Sequence, residues 1–252
     1  MSSAIQIERR ASIGYVTLSR GSKRNAFDAE MMDALRVAAD ELGNDPAVKV
    51  VFLAGEGEAF CAGADLSWME AQMNADRAGK IQEAKRLSDM LAALNEMPKP
   101  LVTFGHGAIF GGGLGLLAVS DIVILDANAK LSFSETKLGL IPATIGPFVL
   151  QKIGHSAARQ LFLSAEIFMA DRAVDIGLAH LVGTKVEAQA RAEGLLKNSA
   201  SAMAKAKAVV QARDKDALEA EIELAQQALA DIWETEDACD RVGAFLAKGK
   251  SK

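Results

Sequence analysis

"FGGGLGLLAVSD", residues 110–121, sets three glycines in a row ahead of an apolar run that otherwise reads as the start of a buried helix. Glycine in a first helical turn costs about 1 kcal/mol per residue relative to alanine. Helix stability therefore does not account for Gly111, Gly112 and Gly113. Bare backbone at a strand-to-helix turn lets another molecule approach the main chain, and the free N–H groups of the first turn, aided by the helix dipole, stabilise negative charge. Gly112 is a candidate oxyanion donor on that ground. A second bare turn, Ala62, Gly63 and Ala64 in "FCAGADLSWM" (60–69), follows a strand ending near Ala54 and precedes another helix-like stretch. Two N–H groups facing one oxygen would hold an enolate, each contributing about 3 kcal/mol. The alternative is two tight turns between packed elements.

Around these turns the chain alternates extended and helical runs. "SIGYVTLS" (12–19) and "VKVVFLAG" (48–55) read as strands. Between them Met31, Leu35, Ala38 and Leu42 share one helical face, with Asp28 as the cap and Gly43 as the stop. A second helix over 81–97 carries Leu87, Leu91 and Leu94, and Pro98 and Pro100 end it before "LVTFGHG" resumes extended structure. "DIVILDA" and "KLSFS" are two more strand candidates after the glycine segment. Past about residue 195 the pattern is helical, with Leu218, Ile222, Ala225 and Leu229 as one stripe that packs on its own core or on a neighbouring subunit. The pattern predicts an α/β core over 1–195 and a helical C-terminal region over 196–252.

Composition narrows the function. The chain has 252 residues, half of them apolar, enough for one large core. A net charge of −5 provides no basic footprint for nucleic acid. Lys205 with Lys207, and Lys248 with Lys250, read as solvated faces. Cys61 and Cys239 are too few and too distant for a disulfide framework or a metal knuckle, which suits a reducing compartment. The first ten residues lack the charged and apolar regions of a leader, and no apolar stretch nears the roughly 20 residues that span a bilayer. The expectation is a soluble cytoplasmic protein without a membrane partner.

Familiar site chemistries fail on spacing. "GHGAIF" has Phe110 where the dinucleotide fingerprint needs its third glycine. His106, His155 and His180 are scattered and read as structural or surface residues, so no metal is expected. "GHSAA" has Ala158 where a nucleophile elbow needs glycine, which argues against Ser156. Backbone donors and carboxylates remain.

With "RNAFD" at 24–28, the blocks "FCAGADLSWM", "FGGGLGLLAVSD", "FSETKLGLIPATIG" (133–146) and "TEDACDRVGAFLAKGK" (235–250) resemble, in order and spacing, the signature blocks of the enoyl-CoA hydratase/isomerase (crotonase) family. The resemblance covers nearly the whole chain. It implies a spiral of repeated ββα units with a helical C-terminal region used in assembly, a homotrimer or a hexamer built as a dimer of trimers, and an acyl-CoA thioester substrate that brings its own CoA, with no further cofactor. By position Ala64 and Gly112 match the oxyanion donors. Lys23, Arg24, Ala26, Ala62, Asp65 and Leu66 match stretches that line the CoA moiety. Glu135 matches an acid that exchanges a proton at the carbon next to the thioester.

The family's hydratases carry a second acid twenty residues upstream of Glu135, and here that position is Gly115. Loss of one of two acids removes general acid/base help on the order of 10²- to 10⁴-fold unless something replaces it. "CAGADLSWM" with "SETKLGLIPATIGPFVLQKIG" looks more like bacterial methylglutaconyl-CoA hydratases, whose branched substrate brings a distal carboxylate. Thr144, Ile145 and Pro147 stand where straight-chain enzymes have more glycine, and either shape the acyl pocket or pack a helix start. The resemblance implies a hydratase acting across the 2,3 double bond of a branched glutaconyl-CoA. A Δ3-Δ2 isomerase needing one glutamate is the alternative, and a catalytically silent scaffold is a third reading.

Overall fold

The computed structural model describes residues 4–212 and 215–250, and its strands form two sheets. The strands are β1 (Ile5–Arg10), β2 (Ile13–Leu18), β3 (Val50–Gly55), β4 (Leu101–Gly105), β5 (Ala108–Phe110), β6 (Ile122–Leu125), β7 (Lys130–Ser132), β8 (Phe168–Met169) and β9 (Leu181–Val182). The larger sheet runs β1-β2-β3-β4-β6-β9. Its first pair is antiparallel, with Arg10 opposite Ile13, and every later pair is parallel. β5, β7 and β8 form the smaller sheet. β3 is buried along its full length, as a central parallel strand covered on both faces must be.

β1 escapes a reading of the sequence. Its hairpin turns on Ala11 and Ser12, both at positive φ (47° and 64°), the geometry that matches strand twist in a two-residue loop. That turn normally announces itself with Asn-Gly, and Ala-Ser does not.

The helices are α1 (Ala29–Asn44), α2 (Leu66–Asn74), α3 (Arg77–Glu96), α4 (Gly112–Ala118), α5 (Gly146–Ser164), α6 (Ala170–Asp175), α7 (Lys185–Leu195), α8 (Ala200–Gln211), α9 (Lys215–Trp233) and α10 (Glu236–Lys250). Asp28 caps α1 as expected, accepting from the Met31 N–H at 2.9 Å. Gly43 is not the stop. α1 runs on to Asn44 and ends because Pro46 pushes Asp45 into extended backbone (ψ 114°). α3 begins at Arg77 rather than 81, since Asp76 accepts from the Gly79 N–H at 2.8 Å and starts the helix a turn earlier.

The main core lies between one face of the larger sheet and α1, α3, α4 and α5, with Phe60, Leu91 and Phe133 fully buried in it. A smaller cluster on the opposite face, including Phe52 and Phe104, is covered by Ala188 and Ala192 of α7. The helical stripe folds back on its own chain: α9 packs along α3 and α5, and α10 closes over α2 and the 3-10 turn Glu135–Leu138. No helix among the described residues is long and apolar enough to cross a membrane.

Lys207 corrects the reading of α8. Its side chain is 8% exposed, with Nζ 2.8 Å from Asp121 Oδ2 and 3.3 Å from the Lys99 carbonyl, so it pins α8 to the edge of the core instead of facing solvent. A lysine spaced like a surface residue is indistinguishable in sequence from one that finds a carboxylate far along the chain. Lys205 and Lys248 are exposed, and the side chain of Lys250 lies outside the described residues. The histidines are structural or superficial: His180 Nδ1 accepts from the Val123 N–H, His106 stacks on Phe104, and His155 is exposed.

Candidate active site

Two isolated bridges hold the turn after β3: Phe27 with Ala64 joins it to the segment before α1, and Cys61 with Ile109 joins it to β5. In the first bridge Phe27 donates to the Gly63 carbonyl and accepts from the Asp65 N–H, both at 2.8 Å. Alternate residues of a parallel ladder point their amides the other way. The Ala64 N–H is therefore turned off the ladder, and it has no backbone acceptor among the described residues. Gly112 opens α4, so its N–H is one of the orphan donors of a first helical turn.

Gly111 makes this geometry possible. Its φ of 49° with ψ of −117° is backbone that a side-chain-bearing residue rarely adopts. A Cβ there would lie 3.1 Å from Glu135 Oε1 and 3.9 Å from the Gly63 Cα. The absent methyl is the space through which the carboxylate approaches both turns.

Glu135 begins the 3-10 turn after β7, where the chain leaves the smaller sheet toward α5. The residue keeps partial exposure, yet its Oε2 is buried with no hydrogen-bond partner. Burial pushes the carboxyl up from 4.5 to about 7, against a smaller opposing pull from its own backbone N–H. A carboxyl so placed exists in both protonation states near neutral pH, as a group that both gives and takes a proton should.

These groups share one cavity of about 150 Å³. Ala62, Ala64, Gly112 and Glu135 all line it, and Glu135 is the one ionisable side chain among its described lining residues. Sequence reasoning missed most of the apolar wall: Trp68, Leu87, Leu229, Trp233 and Phe245. Leu229 and Trp233, one turn apart on α9, carry the spacing signal of a buried face, but nothing local says what that face covers. Trp68 turns its Nε1 away to Glu83 Oε2 at 2.9 Å and presents its ring to the cavity. Thr144 and Ile145 also line the wall, whereas Pro147 sits in the first turn of α5. The two readings of that segment divide between its residues.

The remaining expected positions do not reach the cavity. Lys23, Arg24 and Leu66 are exposed beside it, and Ala26 is buried behind the turn. Arg24 contributes through its carbonyl, which accepts from the Ala62 N–H at 3.0 Å. Asp65 is 5% exposed, caps α2 through the Ser67 N–H, and pairs with Lys23 at 2.9 Å and Arg20 at 3.0 Å. Burial alone would raise its pKa, but the Lys23 and Ser67 hydrogen bonds and the Arg20 charge outweigh that and hold it below the usual carboxylate range.

Gly115 is fully enclosed. A Cβ there would lie 2.8 Å from Ile145 Cγ2 and 3.1 Å from Leu91 Cδ1. Apolar side chains fill the space a second acid would need.

A fold that brings two bare turns and one carboxyl to a common cavity has counterparts. The chain matches the enoyl-CoA hydratase/isomerase family model over residues 8–252. It is 31% identical to a Thermus thermophilus protein named for enoyl-CoA hydratase over 97% of this chain and 98% of that one, and 28% identical to a short-chain-enoyl-CoA hydratase of Clostridium acetobutylicum over 97% and 95%. Among solved structures it superimposes on an enoyl-CoA hydratase from Shewanella pealeana with a TM-score of 0.82 at 32% identity, covering 97% of this chain and 94% of that one. An enoyl-CoA hydratase/isomerase from Mycobacterium paratuberculosis superimposes with a TM-score of 0.90 at 26% identity over 97% and 99%. Signature blocks, fold and whole-length similarity agree, and the chain belongs to the enoyl-CoA hydratase/isomerase family.

Proposed function

We propose that this protein adds or removes water across the 2,3 double bond of an enoyl-CoA, with Glu135 as its single acid–base group and the Ala64 and Gly112 amides holding the thioester oxygen. The observation that carries the reading is the buried, unpartnered Oε2 of Glu135 in a cavity lined also by Ala64 and Gly112, whose N–H groups have no backbone acceptor among the described residues. In the hydration direction the protonated carboxyl gives its proton to Cα while its other oxygen takes a proton from water. The hydroxyl bonds to Cβ, and the carboxyl is regenerated. Charge that develops on the thioester oxygen meets preorganised donors, where it is stabilised most.

The lining also bears on the acyl group. Its described residues include no lysine, arginine or histidine, so the wall offers no cation to a distal carboxylate. That supports an apolar acyl chain over the branched glutaconyl chain suggested by resemblance. A second reading, Δ3-Δ2 isomerisation, is favoured by the Ile145 and Leu91 side chains over Gly115, because moving a double bond requires one base and no bound water.

CoA contacts at Lys23, Arg24, Ala26, Ala62, Asp65 and Leu66, a cytoplasmic setting, and assembly through residues 196–252 as a trimer or dimer of trimers complete the proposal. Exposed Val209, Val210 and Leu224 in that helical region support the assembly. The deciding experiment supplies crotonyl-CoA, 3-methylglutaconyl-CoA and a 3-enoyl-CoA in water labelled with heavy oxygen. Label in the product of crotonyl-CoA is expected. Rapid 3-to-2 isomerisation with no label from any substrate overturns hydration, and label from the glutaconyl substrate alone overturns the apolar acyl assignment.

A further inference from the structure

Arg20, met above only as a partner of Asp65, has a side chain 14% exposed whose guanidinium touches both segments of the Phe27–Ala64 bridge. On one segment, Nη1 is 2.8 Å from the Ala26 carbonyl and 2.6 Å from Asp28 Oδ2. On the other, Nη2 is 3.0 Å from Asp65 Oδ2. The three acceptors therefore flank the bridge: residues 26 and 28 on either side of Phe27, and residue 65 directly after Ala64. We propose that Arg20 is the positioning residue of the Ala64 oxyanion turn, a planar clamp that fixes how the two extended segments lie against each other and so where the Ala64 amide points.

The physical basis is the fork. A guanidinium presents rigid, permanently charged donors in one plane, and charge-assisted bonds to two carboxylates and a carbonyl restrain rotation as well as distance. The backbone pairing is short here, with bonds from Ala62 to Arg24, from Phe27 to Gly63 and from Asp65 to Phe27. Those bonds set the spacing of the two segments, and a small rotation of one against the other would still swing the Ala64 N–H away from the cavity. Asp65 transmits the restraint because its other oxygen is held by the Ser67 N–H at 2.9 Å, at the start of α2. Lys23 also meets Asp65, but its side chain is 53% exposed and donates from a single point, so it neutralises charge without setting an orientation.

This inference rests on the reading of Ala64 as an oxyanion donor, and the test separates the two. Infrared difference spectra of bound butyryl-CoA, labelled with carbon-13 at the thioester carbonyl, report the hydrogen bonding of that oxygen, while α-proton exchange into the same compound reports turnover. The wild-type protein should shift the carbonyl band to lower frequency. Arg20→Lys keeps the charge without the fork, and Arg20→Gln removes both. Each should lose most of the shift and slow exchange about 10²-fold, the cost of a roughly 1 Å misplacement, with KM nearly unchanged. Should Arg20→Gln fail to fold, Arg20→Lys and Asp65→Asn carry the comparison, with Asp65→Asn giving a smaller loss in the same direction. Variants that are less stable but keep the wild-type carbonyl frequency and exchange rate overturn the positioning role and leave the oxyanion reading intact. Absence of a shift in the wild-type protein overturns both.

Discussion

Glu135 Oε1 stands over the Cα of Gly111, so close that a Cβ on residue 111 would lie 3.1 Å away. The general acid–base group and the glycine turn are thus one device. Gly111→Ala would introduce strain at φ 49°, at a cost of about 1–3 kcal/mol, and push the carboxylate off its line to the cavity. Thermal denaturation should show that loss, and α-proton exchange should fall about 10²-fold.

The raised Glu135 pKa ties stability to pH. Because the folded value, about 7, lies above the ordinary 4.5, the stability linked to the neutral carboxyl is fully present below about pH 4.5. It is lost as pH rises through 7. The swing is on the order of 3 kcal/mol, and Glu135→Gln should remove it, flattening the melting temperature against pH over this window. The same variant should abolish α-proton exchange in a bound acyl-CoA, because an amide cannot cycle a proton.

Ala64→Pro deletes an N–H that the Phe27 bridge does not use. The bridge should survive and circular dichroism should remain that of the folded protein. Turnover should drop about 10²-fold or more if that N–H meets the thioester oxygen.

Gly115→Glu would restore the second acid in a space already occupied by Ile145 and Leu91. Alone it should destabilise by about 1–3 kcal/mol through overpacking and leave hydration no faster. Combined with Ile145→Ala, which opens the wall, it should recover stability and raise the ratio of hydration to isomerisation, measured on paired 2-enoyl and 3-enoyl substrates.

Lys207→Met tests the part-buried pair with Asp121. Removing one partner leaves Asp121 with the Leu101 N–H at 2.7 Å. A loss of about 2 kcal/mol is expected on denaturant unfolding, the scale of a charge-assisted hydrogen bond, since Asp121 keeps some access to water.

The two glycine-bearing turns, the helical face of α1 and the stripe ending at Leu229 were legible in the sequence, because steric freedom, capping and periodicity act over a few residues. The signature blocks added the family. Other features depended on residues far apart in the chain. Nothing near Lys207 announces Asp121, nothing near Arg20 announces Asp65, and Ala11-Ser12 does not announce a hairpin. The apolar wall around Glu135 was hidden for the same reason, since Trp68, Leu87, Trp233 and Phe245 come from four separate helices. Local rules placed a carboxylate and two bare turns in the chain. Only tertiary packing could desolvate Glu135 until its pKa approached neutrality, aim the Ala64 amide off a one-residue bridge, and fill the space above Gly115 with Ile145, because each is set by atoms that the chain order keeps apart.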